Sequence, residues 1–174
     1  MYTSLKKEKP MLRHAIIMVC IASIIALFLA SGLAWDLTAR ATIAILEFSS
    51  IQTHYVSPLY LMYVRLLDGT VVGFQIWLEC SGLITLLIFS FISALTVGLL
   101  KGDLKLKLAW FVFAALIGFT WNLSRLAAVI AIAYNFGLPA FQFVHFVLAP
   151  TVDFVWVVTT WALGMSWLKK EVQQ

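Results

Sequence analysis

The sequence predicts an all-α integral membrane protein: a bundle of about four transmembrane helices, or five or six helices if external interfacial ones are counted, with both chain ends inside. Of 174 residues, 63% are hydrophobic and 11% charged. The mean hydropathy is +0.99, and apolar runs of bilayer-crossing length alternate with short lysine clusters. A soluble core of this size cannot hide so much apolar surface, whereas lipid accepts it. Disordered, nucleic-acid-binding and disulfide-rich secreted classes are excluded on the same ground. The formal charge of +4 then describes topology rather than a polyanionic partner. Residues 1–174 read as a single transmembrane domain.

The basic start MYTSLKKEKPMLR precedes a first span at about residues 14–35. Its apolar run exceeds the ~7–15 residues of a signal-peptide core, so it reads as a retained helix rather than a cleaved leader. Residues 36–76 read as an external or interfacial segment, because Asp36, Arg40, Glu47, Gln52, His54, Pro58, Arg65 and Asp68 interrupt the apolar residues. Within it, Leu37 to Ile51 shows the spacing of an amphipathic helix lying at the outer interface. A fifth span near residues 41–64 is the rival reading. Leu61 to Leu67 and Thr70 to Ile76 flank Asp68-Gly69, which predicts a short external β-hairpin closed by a type I′ turn. Further spans follow at about 77–100 and 108–134, separated by the polar turn Lys101 to Lys107. The last, at about 151–168, is closed by Lys169 and Lys170.

Positive residues are retained in cytoplasmic loops. Lys6, Lys7, Lys9, Arg13, Lys101, Lys105, Lys107, Lys169 and Lys170 all fall on one side of this arrangement, leaving only Arg40, Arg65 and Arg125 of the 12 elsewhere. The expected topology is therefore N-in and C-in.

Ionisable groups in or beside a span are costly, and their depth can be compared. Counting from the lysine turn, Cys80 lies about 30 Å back along one helix and Arg125 about 27 Å forward along the next. His145 belongs to the external stretch between Asn135 and Pro150 that returns the chain to the same surface. A thiol, a guanidinium and an imidazole are thus expected at one membrane face. A helix N-terminus and a neighbouring cation both favour thiolate. Arg can hold an oxyanion and His can move a proton near neutral pH. Together they are the equipment of acyl transfer through a thioester.

Each residue also has a purely structural reading. Cys80 could be packing, Ser81 a helix cap, Gly82 a point of close helix approach, Arg125 a snorkelling cation and His145 a surface residue. Glu79 and Asp153 stand near the same level, either orienting Arg125 or His145 or forming a structural ion pair. Cys20, about 9 Å into the first helix, reads as core. Trp35, Trp77, Trp110 and Trp167 read as interfacial anchors, and Phe136 to Leu148 as an external loop docked on the bundle. No metal-ligand spacing or cofactor motif is present, so neither is expected.

Glu79-Cys80-Ser81-Gly82-Leu83, Asn122-Leu123-Ser124-Arg125-Leu126 and the later His145 resemble the exosortase/archaeosortase family. Its motifs are a Cys-Ser-Gly at a helix start, an Asn-x-x-Arg near the end of the next helix, and a downstream His or Arg. The resemblance covers roughly residues 70 to 165 and suggests a short, minimal-core member. It implies a multi-pass plasma-membrane cysteine protease and transpeptidase with its active site on the extracytoplasmic face. Its substrates would be secreted proteins bearing a C-terminal motif, a hydrophobic helix and a basic cluster. They would be cleaved and passed to an amine acceptor, plausibly a membrane lipid. Cys80 would then be the nucleophile, with Arg125 and His145 catalytic and Asn122, Ser81 and Gly82 supporting. Two rivals stand beside it. One is a non-catalytic scaffold or transporter subunit, with Arg125 and Asp153 as a structural pair. The other is a thiol acyltransferase acting on lipid or glycan.

Overall fold

The computed structural model describes the backbone of residues 2–78 and 82–171, with side chains from 11 to 78 and 82 to 170. Glu79, Cys80 and Ser81 lie outside the described residues. The chain is mostly helical. In order it forms α1 (Tyr2–Leu29), α2 (Gly32–Phe48), β1 (Thr53–Val56), β2 (Leu61–Arg65), β3 (Val71–Gln75), α3 (Leu83–Gly98), α4 (Leu104–Phe143) and α5 (Ala149–Glu171). Met11–Leu29 and the continuous stretch Leu104–Lys170 are long and apolar enough to cross a membrane, and Leu83–Gly98 is a shorter apolar helix.

α1 and α3 pack side by side, with Met18 and Ala22 against Ala94, Val97 and the α4 residue Phe111. Ala15 of α1 lies against Gly98 near the end of α3, while Leu29 meets Leu83 and Leu86 near its start. The two helices therefore run antiparallel. Cys20 is exposed rather than core. The buried face of α1 runs through Ala15, Met18, Ala22 and Leu29, and a residue two places after Met18 points away from that stripe.

The expected first span, 14–35, is broken at Ser31. Ser31 caps α2 by accepting from the Ala34 amide at 3.4 Å, a common helix-start device. The Trp35 indole donates to the Leu29 carbonyl at 3.0 Å, satisfying an orphan group at the end of α1. Trp35 also stacks on Trp77 at 6.2 Å. α2 buries Ala34, Thr38, Ala39, Thr42 and Leu46, so the amphipathic helix begins five residues earlier than its apolar spacing suggests. Where the rival fifth span would run, α2 ends at Phe48 and the chain continues into the strands β1 and β2.

The three strands form one antiparallel sheet in the order β1-β2-β3. Its inner face, Met62, Val64 and Phe74, packs with Ala39 and Leu46 of α2 and with Leu126, Ile130 and Ala133 of α4. Between β2 and β3 the turn is not type I′. The Gly69 amide bonds the Leu66 carbonyl at 3.0 Å and the Leu66 amide bonds Thr70 at 2.8 Å, with Gly69 at φ 87 and Asp68 outside the positive-φ region. This is a type I turn closed by a left-handed glycine. The Asp68 carboxylate stabilises it by accepting from the Thr70 amide at 2.9 Å.

Hydropathy places the second span from Trp77, but α3 starts at Leu83. Apolar character continues through Trp77 and Leu78, whereas the helix begins only after Gly82, held at φ 75. At the other end of α3, Lys107 is 1% exposed instead of lying in a solvated turn. Its ammonium donates to the carbonyls of Gly98, at 3.1 Å, and Leu100, and approaches His14 Nδ1 at 3.4 Å.

α4 extends well past the expected 134, so Arg125 sits within the helix rather than near its end. The direction changes at Gly137 (φ 79, ψ −179), a conformation that a side chain would strain. Phe136 to Leu148 is consequently helical, not a loop. A π-helical turn at Val144–Leu148 leads into α5. Pro150 has no amide to give the Phe146 carbonyl, and the Ala149 amide reaches back to Val144, which accounts for the wider turn.

Candidate active site

Three helices meet at Arg125. From α4, its Nη2 donates to Asn122 Oδ1, one turn earlier, at 3.1 Å. Across to α5, its Nη1 faces Asp153 Oδ2 at 3.4 Å. That carboxylate also accepts from Thr85 Oγ1 of α3 at 3.4 Å and from Trp121. Both side chains of the ion pair are about nine-tenths buried, at 11% and 10% exposure. An ion pair this buried is stabilising only when its remaining hydrogen-bonding capacity is used, and Asp153 has three donors around it: Arg125, Thr85 and Trp121.

Gly82 stands against this cluster. A Cβ placed there would overlap Arg125 Nη2 and the Asn122 side-chain oxygen. The backbone just before α3 therefore touches both polar groups, which only a residue lacking a side chain allows. Two buried donors, Asn122 Nδ2 and Arg125 Nε, have no hydrogen-bond partner among the described residues. Buried unpaired N–H groups are costly in a folded chain, and donors aimed into a site without a partner suit a developing negative charge.

His145 lies in the π-helical turn. Its ring stacks on Phe141 at 5.1 Å with a 9° interplanar angle and meets Phe146 edge-on at 4.9 Å. Measured back along α5 from Lys169, it is about 24 residues away, or about 36 Å, beyond the reach of a ~30 Å hydrocarbon layer. Burial and then the Arg125 charge hold its pKa below the ordinary 6.5. The imidazole is thus neutral at pH 7, the form able to accept a proton. His145 also lines a cleft of about 300 Å³ between β3 and the helical return after Gly137.

Of the residues the sequence singles out, Gly82, Asn122 and Arg125 are in contact, and His145 lies within the electrostatic reach of Arg125. Cys80 and Ser81 fall outside the described residues, as does Glu79. Asp153 was legible only as one of two carboxylates at the right depth; Thr85 and Trp121 carried no signal, being ordinary helix residues in an apolar chain.

The sequence profile of the transmembrane exosortases matches residues 6–162. The chain belongs to the transmembrane exosortase family. No curated protein and no solved structure matches it. Exosortases are membrane proteins of cysteine-type peptidase and transpeptidase character. The matched segment takes in every element from α1 to most of α5, so the Arg125 cluster and His145 both lie inside the exosortase region.

Proposed function

We propose that this exosortase cleaves C-terminal sorting tails of secreted proteins at the outer face of the plasma membrane and transfers them to an amine acceptor, plausibly on a lipid. The observation that carries the proposal is the contact of Gly82 with Arg125 and Asn122. Cys80 is two peptide units before Gly82, so covalent geometry alone keeps its Cα within about 7 Å of that point. The same account has four crossings, by α1, α3, the first part of α4 and α5, with both termini and the lysine-rich turn inside.

In this mechanism the neutral His145 takes the Cys80 proton, and Arg125 steadies the thiolate. The sulfur attacks the substrate carbonyl carbon. The oxyanion of the tetrahedral intermediate is received by Asn122 Nδ2 and Arg125 Nε, the donors left unpaired among the described residues. The C–N bond breaks as His145 returns its proton to the departing amine, leaving a thioester on Cys80. An acceptor amine then gives a proton to His145, attacks the thioester and expels the thiolate. Asp153 does not touch substrate; it positions Arg125.

Cys80→Ala and Arg125→Ala should each leave substrate unprocessed with the protein still present in the membrane. A non-catalytic scaffold is the reading that the buried Arg125–Asp153 pair also fits. It requires Cys80→Ala to be silent.

A further inference from the structure

The cleft beside His145 has one wall made of backbone. Register places Met62 opposite Phe74, Tyr63 opposite Gly73 and Val64 opposite Val72. Beyond the two ends of this ladder, the Ile76 amide bonds Tyr60 at 2.9 Å and the Leu66 amide bonds Thr70 at 2.8 Å. Hydrogen-bonded pairs alternate along an antiparallel ladder, so Val72 and Phe74 turn their N–H and C=O groups to β2. Those of Val71, Gly73 and Gln75 face the opposite way. β3 is an outer strand of the sheet, and among the described residues nothing hydrogen-bonds these outward backbone groups. The facing wall is formed by Leu138, Phe141, His145 and Phe146, and the Phe141 ring meets Phe74 of β3 edge-on at 5.2 Å.

Uncovered strand edges are usually blunted by lysine, proline or a bulge. This one is not: its outward residues are Val71, Gly73 and Gln75. The other edge strand, β1, is tied to α2 by Tyr55 donating to Asp36 at 2.7 Å and is followed by Pro58. The open edge thus faces the wall that holds His145, and β3 leads directly into the stretch containing Cys80.

We propose that the substrate segment N-terminal to the cut bond binds here in extended form, as a fourth strand paired to the outward backbone of Gly73 and Gln75. The inference rests on the function proposed above. Since the substrate's hydrophobic helix follows the cut site and occupies the bilayer, the preceding residues must lie outside it, where the sheet stands. Pairing through main-chain groups would tolerate varied side chains, with every second one entering the cleft between Phe141 and Phe146.

A photo-crosslinking amino acid in place of Gln75 tests this, read on acyl-enzyme trapped at Cys80. The expected result is a crosslink to the same peptide carried on Cys80, within a few residues before the thioester. Gly73→Pro, which removes an outward amide without touching the β2 ladder, should slow processing about tenfold with thiol labelling of Cys80 unchanged. Gly73→Ala keeps that amide, so although its methyl meets Leu61 and Tyr63 at 3.2 and 3.3 Å, it should slow processing clearly less than the proline does. Acyl-enzyme with a crosslink to lipid, to a second copy or to nothing would overturn the edge-binding proposal and leave the catalytic one intact. Equal losses in the proline and alanine variants would also overturn it. Absence of any peptide on Cys80 would remove both.

Discussion

Arg125 of α4 and Asp153 of α5 face each other at 3.4 Å in a nearly closed pocket, and the backbone of Gly82 rests against the same guanidinium. The ion pair therefore does two things: it ties the last helix to α4, and it fixes a cation beside the start of α3. Each can be tested separately.

Removing one partner of a buried pair leaves the other charge uncompensated, at a cost of about 3–5 kcal/mol. Asp153→Ala should destabilise the detergent-solubilised protein strongly. The Asp153→Ala/Arg125→Ala double variant should be more stable than the sum of the single losses predicts, as seen in thermal unfolding. Additive losses would mean that the two side chains do not interact.

Gly82→Ala places a methyl group where Arg125 and Asn122 already lie and forces a left-handed residue to carry a side chain. The backbone cost is about 1–2 kcal/mol. Processing should fall by more than this stability loss explains, because the guanidinium must move. A variant with normal processing and an unchanged melting temperature would show that the contact is not required.

The acid limb of the pH–rate profile should lie below 6.5, since burial and then Arg125 hold the His145 pKa down. Asp153→Asn removes the negative charge that offsets Arg125, so in whatever activity remains the limb should move lower still. A limb at or above 6.5 in the parent enzyme would place the titrating group elsewhere.

Much of this site could be read from the chain, because its parts are local. Gly82, Asn122 and Arg125 can be matched in depth by counting helical rise from the lysine turn, and α3 and α4 do lie antiparallel. Asp153 could not be chosen over Glu79 that way, since pairing depends on how each helix is rotated about its axis, which hydropathy does not encode. The stretch around His145 looked like a loop because aromatic residues, Gly137 and Pro150 cluster there. A single glycine at positive φ kinks the chain, and one wide turn accommodates the proline, so helix continues on either side. Lys107 misled for a different reason: a lysine in a polar stretch reads as solvated, while its ammonium is drawn inward by the carbonyls ending α3.

That last arrangement gives a prediction remote from catalysis. Lys107→Met should leave the Gly98 and Leu100 carbonyls short of a donor and cost about 2–3 kcal/mol. Hydrogen exchange should increase at the end of α3 while the pH–rate profile keeps its shape. Protection unchanged at Val97 to Leu100 would show that the ammonium is dispensable there.

The central claim is that Cys80 carries the substrate as a thioester. Mass analysis of protein quenched in acid during turnover, before and after hydroxylamine, reads this directly. The predicted result is a peptide on Cys80, ending in a newly made C-terminus and released by hydroxylamine; a fatty acyl adduct, or undiminished processing by Cys80→Ala, would contradict it.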